Sequence, residues 1–117
     1  MPQKPEIVTI TVASAFSASH WHDKTLNEPA HSHNFRYEAA LKGALNDEGY
    51  LVDFREIEAC LKKINTALEG KDLNALLRYP TTENLVIYLY NEIKKTYPQL
   101  IKVTLWEKDG YYASYGV

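Results

Sequence analysis

The chain is short of several features that would place it quickly, and each shortage excludes something. It has a single cysteine, Cys60, among 117 residues. That rules out an internal disulfide and gives no support for a disulfide-stapled secreted scaffold. No apolar run in the sequence approaches the roughly 20 residues that a membrane-spanning helix needs. The opening Met-Pro-Gln-Lys-Pro is followed by no apolar stretch of signal-peptide type, so a cytoplasmic protein without a membrane partner is expected. Charge of one sign is also missing. Thirteen Lys and Arg stand against 15 Asp and Glu, for a net charge of −2, which argues against a general nucleic-acid-binding surface. Internal repeats, low-complexity tracts and linkers are absent, and the length suits one domain over residues 1–117. Tyrosine, by contrast, is plentiful. Nine of them suit half-buried strands, helix faces and interfaces.

Hydrophobic periodicity divides the chain into six elements. Residues 6–16 alternate, with Val8, Ile10, Val12 and Phe16 on one face and Thr9 and Thr11 on the other, which predicts a half-buried strand. If the extension continues, His20 takes the parity of the apolar face. Residues 21–30 are polar, contain a proline and predict a loop. Residues 31–43 predict a second strand, with His31, His33, Phe35, Tyr37, Ala39 and Leu41 on one face. A turn over Gly43–Gly49 and a short extended piece, Tyr50-Leu51-Val52, follow. Asp53 with Glu56 forms a capping-box variant that opens a helix with an apolar stripe of Phe54, Ile57, Leu61, Ile64 and Leu68, stopped by Gly70. Cys60 lies beside that stripe and is expected to be a small core residue. Residues 70–80 predict a loop. Thr81 or Thr82 caps a second helix, whose apolar side is Leu85, Val86, Tyr88, Leu89 and Ile93 and whose end is marked by Pro98. The last segment predicts a hairpin, with Ile101, Val103, Leu105 and Glu107 on one face and Asp109-Gly110 as a two-residue turn. The order strand-strand-helix-helix-strand-strand means an α+β domain, a four-stranded antiparallel sheet with two helices on one face. Its two open edges make pairing into an oligomer plausible on physical grounds.

The chemistry concentrates at His31-Ser32-His33, with His20 upstream. Histidines at i and i+2 of a strand face the same way. Three imidazoles leave the fourth position of a tetrahedral zinc ion open, as catalytic sites do. Here the pair continues an apolar face, where its nitrogens need partners. Glu107, at the end of another apolar face, suits bidentate recognition of a planar guanidine-like edge, such as pterins and guanines carry.

These residues carry a resemblance. Phe16-Ser17-Ala18-Ser19-His20, His31-Ser32-His33-Asn34, Val52-Asp53-Phe54, Leu73-Asn74, Pro80-Thr81-Thr82-Glu83-Asn84 and Trp106-Glu107 occur in the order of the motifs of the 6-pyruvoyltetrahydropterin synthase family, and the chain resembles that family over nearly its whole length. The family includes the 6-carboxytetrahydropterin synthases of the queuosine pathway. The resemblance implies the tunnelling fold, in which three subunits close a barrel and two trimers stack into a hexamer. It implies zinc on His20, His31 and His33, a pterin held by Glu107, and a carbon-oxygen lyase of the 6-pyruvoyltetrahydropterin synthase type.

The departures from the family pattern are equally specific. The family's cysteine, a few residues before the histidine pair, is missing from Leu26-Asn27-Glu28-Pro29-Ala30. Glu28 stands three positions before His31, where one branch of the family, resembling a side-chain-cleaving enzyme that yields 6-hydroxymethyl-dihydropterin, uses a glutamate. The family's Asp-His dyad is missing from Leu68-Glu69-Gly70-Lys71-Asp72-Leu73-Asn74, and Ser32 replaces a glycine. Each lost acid/base group removes a factor of ~10²–10⁴, so Glu28 becomes the candidate catalytic residue, with His22, Lys71 and Asp72 behind it. The resulting expectation is a zinc-dependent enzyme acting on 7,8-dihydroneopterin triphosphate or a related dihydropterin. Two alternatives stay open: a pterin- or purine-binding homologue that keeps the metal and ring anchor without turnover, and a structural metal in an oligomeric scaffold. Metal content and oligomeric state of His31→Ala separate the last of these: loss of metal with an intact oligomer is expected, and loss of both together is the structural-metal outcome.

Overall fold

The computed structural model describes residues 6–20 and 31–116, and the side chains of His20, His31 and Ser32 lie outside that description. The elements are β1 (Ile7–His20), β2 (His31–Ala44), α1 (Phe54–Leu68), α2 (Leu73–Leu76), α3 (Thr82–Thr96), β3 (Leu100–Lys108) and β4 (Tyr111–Gly116). The strands form one antiparallel sheet in the order β1-β2-β3-β4. The helices cover one face: α1 lies against β1, and α3 against β3 and β4. This is the α+β arrangement that the periodicity predicts. The predicted loop over 21–30 falls outside the described residues.

The core follows from strand parity. Val12, Phe16 and Ala18 of β1, Phe35, Tyr37, Ala39 and Leu41 of β2, and Leu100, Val103 and Leu105 of β3 are buried under Ile57, Leu61 and Leu68 of α1 and Leu85, Val86, Leu89 and Ile93 of α3. Phe16 stacks on Phe35 with ring centroids 5.2 Å apart. Asp53 caps α1 by accepting from the Arg55 amide at 2.9 Å. Its salt bridge to the Arg55 guanidinium holds its carboxyl below the usual carboxylate range. Thr81 caps α3, accepting from the Asn84 amide at 3.1 Å.

Five details differ from the sequence reading. The stretch 70–80 contains a one-turn helix, α2, because Asp72 accepts from the Asn74 amide at 3.0 Å and Leu73 is fully buried. Phe54 is 54% exposed, since the first helical position points away from the sheet that Ile57 and Leu61 cover. Cys60 is only half-buried. Tyr50-Leu51-Val52 forms bends rather than an extended piece. On β3, Leu41 pairs with Leu100 while Ala40 pairs with Lys102. Ile101 is the extra residue of a β-bulge, so Leu100 takes the core position that simple alternation gives to Ile101.

One polar chain ties α1 to the sheet. The Tyr37 hydroxyl donates to Asn65 Oδ1 at 2.7 Å, and Asn65 Nδ2 donates to Ser14 Oγ at 2.7 Å. Burial pushes the Tyr37 phenol up to about 12. The folded state therefore retains a proton that the unfolded chain releases near pH 10. The stability linked to Tyr37 is complete below pH 10 and is lost as pH rises toward 12, on the order of 3 kcal/mol across that interval. Denaturant titrations at pH 9 and pH 11.5 are expected to show this loss, and Tyr37→Phe to show a smaller one. At pH 7 the same variant is expected to cost about 1 kcal/mol, the hydrogen bond to Asn65.

Candidate active site

Of the predicted residues, His33 and Glu107 meet at one end of the sheet, where the backbone positions of His20 and His31 also lie. The β1–β2 register places His20 opposite His31 and Ala18 opposite His33, so the two histidine-bearing strand ends are hydrogen-bonded neighbours. His33 sits on the core side, its ring 5.8 Å from that of Phe35 in an edge-on contact. Its Nε2 lies 3.7 Å from Glu107 Oε1, and the two side chains are 25% and 19% exposed. The candidate ring anchor and a candidate metal ligand are therefore adjacent. His22 and Glu28 lie outside the described residues.

The register of β2 with β3, Arg36 opposite Trp106 and Tyr37 opposite Leu105, puts Glu107 on the face of Phe35 and His33, and a second bulge lies at the same point of β3. Trp106 pairs with Tyr112 and Lys108 with Tyr111, leaving Glu107 as the extra residue on β3. Bulges redirect side chains and concentrate next to functional sites. The two-residue turn at Asp109-Gly110 closes the hairpin directly beyond it, with Gly110 at φ 84°, a conformation glycine adopts without steric cost. Alternation gives the face of Glu107, and the β2–β3 register brings it to His33; the bulge against β4 leaves no signal in the hydrophobic pattern. Glu107 also lines an open cleft of about 370 Å³ with Thr82 and Glu83 at the start of α3 and with Gly110, Tyr111, Tyr112 and Ala113 of the hairpin.

The backbone after α1 clips the site end of β1. Gly70, at φ 69°, donates to the Ser17 carbonyl at 2.7 Å, and the Ser19 amide donates to the Lys71 carbonyl at 3.0 Å. Ser19 forms a parallel bridge with Asp72, and the Ser17 amide donates to Glu69 Oε2 at 2.9 Å. Residues 69–72 thus act as a short extra strand on the outer edge of β1, immediately before His20. Of the two candidates here, Asp72 spends its carboxylate on the α2 cap. Lys71 is exposed and enters the clip through its carbonyl.

The model of the family described as 6-pyruvoyl tetrahydropterin synthase matches residues 9–116. The chain belongs to this family. Family members are pterin-processing enzymes of the synthase lyase type. A similar relative is the dihydroneopterin monophosphate aldolase of Pyrococcus furiosus, 29% identical over 101 residues, covering 84% of this chain and 88% of that one. Among solved structures, the 6-pyruvoyl tetrahydropterin synthase of Caenorhabditis elegans shares the fold with a TM-score of 0.87 at 21% identity, over 99% of each chain. The Plasmodium vivax 6-pyruvoyltetrahydropterin synthase, solved with a catalytic glutamate replaced by alanine, gives a TM-score of 0.77 at 16% identity over 96% of this chain and 99% of that one. The family fold is the one the sequence motifs imply. Among the described residues no helix is long and apolar enough to cross a membrane.

The clip generates a prediction for this synthase-family chain. Gly70→Ala places a Cβ at a left-handed φ and is expected to cost about 1 kcal/mol in stability. The strain falls on the backbone clip to Ser17 and Ser19, so amide exchange at the end of β1 is expected to speed up as well. Gly49→Ala, also at positive φ (91°) but in the turn after β2, is expected to lose stability while leaving amide exchange at the end of β1 unchanged.

Proposed function

We propose that the chain is a zinc-dependent enzyme that cleaves the side chain of a phosphorylated 7,8-dihydroneopterin, the triphosphate or the monophosphate, to leave 6-hydroxymethyl-dihydropterin. The observation that carries this reading is the 3.7 Å approach of His33 to Glu107, which joins a nitrogen donor to a carboxylate at the mouth of a cleft. His20, His31 and His33 are the residues that would hold the metal. The donor set fits zinc: imidazole nitrogens on paired strand ends, one of them on the apolar side of the sheet. When bound, zinc supplies Lewis-acid polarisation of a substrate oxygen.

The chain's own residues do the rest. Glu107 accepts two parallel N–H bonds from the amino-pyrimidinone edge of the pterin, a strong and directional contact. The exposed rings of Tyr111 and Tyr112 border the same cleft. Glu28 serves as the general base, drawing a proton from the second side-chain hydroxyl. That carbon becomes an aldehyde, the bond to the first side-chain carbon breaks, and its electron pair is taken up by the conjugated ring. A proton returned to the first carbon completes the hydroxymethyl product.

Aldol-type cleavage is favoured over the synthase reactions because the cysteine and Asp-His dyad of the synthases are absent, and a relative at 29% identity bears an aldolase name. A glutamate in a catalytic role is named for the P. vivax synthase. The open edge of β4, and the part of the β1 edge that residues 69–72 leave uncovered, also favour a homo-oligomer, a trimer or hexamer, as the working form. The outer strand β4 exposes Tyr111, Tyr112 and Tyr115 at 61%, 63% and 42%, more aromatic surface than an isolated edge strand usually carries.

The test is to incubate zinc-loaded protein with each dihydroneopterin phosphate and identify products by mass. Release of 6-hydroxymethyl-dihydropterin and a phosphorylated two-carbon aldehyde is expected. Glu28→Ala is expected to lower kcat by ~10²–10⁴ with little change in pterin affinity, and Glu107→Gln to weaken pterin binding roughly 10- to 100-fold. Tight binding without consumption of either phosphate would instead identify a binding protein.

A further inference from the structure

A phosphorylated dihydropterin offers a protein two ends, the amino-pyrimidinone edge and the phosphate. Glu107 suits the first, and a cation at the same end of the sheet suits the second. Two described cations there are already engaged. The Arg36 guanidinium stacks on Trp106 at 3.9 Å and pairs with Glu38. The Lys108 ammonium lies over the Tyr111 ring at 4.6 Å. Lys71 differs: it is exposed, and among the described residues its ammonium forms no ion pair.

The backbone fixes where Lys71 sits. Its carbonyl accepts from the Ser19 amide at 3.0 Å, and its amide donates to the Leu68 carbonyl at 3.0 Å. Asp72 bridges to Ser19, so by the alternation of paired extended residues Lys71 falls on the side of Ala18. Ala18 pairs with His33, and His33 approaches Glu107. Lys71, Ala18, His33 and Glu107 therefore form one row across the sheet, on its helix side. Hydrogen-bonded neighbours lie about 4.8 Å apart, so three steps separate Lys71 from Glu107 by about 14 Å. A dihydropterin with an extended three-carbon side chain measures about 13 Å from amino edge to phosphorus, at bond lengths near 1.5 Å. A Cβ added at Gly70 meets nothing within 4 Å, so the space beside Lys71 is open.

We infer that Lys71 is the phosphate partner of this site: its ammonium binds the phosphate on the side chain of the dihydroneopterin, and the site thereby selects phosphorylated substrates. This inference rests on the ring-anchor reading given above and deepens it. A lysine suits the task because it carries a compact charge and three donors on a flexible stem. The clip holds the base of that stem while the ammonium follows the phosphate.

The experiment is an equilibrium fluorescence titration of the full chain with 7,8-dihydroneopterin monophosphate and with unphosphorylated 7,8-dihydroneopterin. Lys71→Met keeps the stem and removes the charge. It is expected to weaken binding of the monophosphate roughly 10- to 100-fold, as loss of a charged hydrogen bond does, and to leave binding of the unphosphorylated compound unchanged. Lys71→Arg is expected to keep most of the preference for the monophosphate. Added salt is expected to weaken monophosphate binding in the wild type more than in Lys71→Met. Lys71→Gln serves if the Met variant fails to fold. Unchanged monophosphate affinity in the variant, or an equal loss for both compounds, would overturn the inference. Its failure is distinct from failure of the cleavage reading. A phosphate-selective loss in a protein that forms no product keeps Lys71 as the phosphate partner and removes the enzyme. Product formation by Lys71→Met with an unchanged KM for the monophosphate keeps the enzyme and removes Lys71.

Discussion

Everything at the candidate site depends on the antiparallel pairing of β1 with β2. These are the two longest strands, 14 residues each, and they pair without a register break from Ile7 opposite Ala44 to His20 opposite His31. A shift of one residue would turn every side chain of one strand to the other face. It would expose Phe16 and Ala18 and separate the histidine-bearing ends. The register is held by burial, because Phe16, Phe35 and Tyr37 pack together on the helix side with Phe16–Tyr37 centroids 6.0 Å apart. At about 25 cal/mol for each Å² of apolar surface removed from water, three aromatic residues that are almost completely buried outweigh any alternative pairing of the polar face. The hydrophobic effect thereby sets the position of groups whose function is polar.

Much of the architecture was legible because it follows from period and from local chemistry. Alternation located β1 and β2 and put His33, Phe35, Tyr37, Ala39 and Leu41 on one face. Asp53, Thr81, Gly70 and Asp109-Gly110 marked ends and turns through capping and left-handed geometry, and each performs that task. What escaped was anything created by an interruption of period. The bulge at Ile101 moved Leu100 into the core, a second bulge at Glu107 interrupted the pairing with β4, and α2 arose from a single cap and a single buried leucine. An extra residue in a strand leaves no trace in a hydrophobicity pattern until its partner strand is known. The clip of residues 69–72 on β1 escaped for the same reason, since it joins backbone groups far apart in sequence.

The candidate site divides along the same line. The histidines and Glu107 were identifiable as residue types in sensible places. Their adjacency required the pairing of β1, β2 and β3 to be known. The site also draws on residues from opposite ends of the chain: β1 and β2 contribute the histidines, while the α3 start and the last hairpin contribute the cleft. The ends of β1 and β2 carry the histidines, and the last hairpin carries the carboxylate.

The bulge at Glu107 has one more consequence, which concerns how this site can vary over generations. A bulge is a single-residue difference in length between two paired strands. Loss of one residue at that point would restore regular pairing between Trp106 and the turn, leave Leu105 and the core in place, and remove the carboxylate from His33. The chain would still fold, yet with different chemistry at its mouth. A fold that carries a carboxylate on one inserted residue at its rim can change the chemistry there without first surrendering stability.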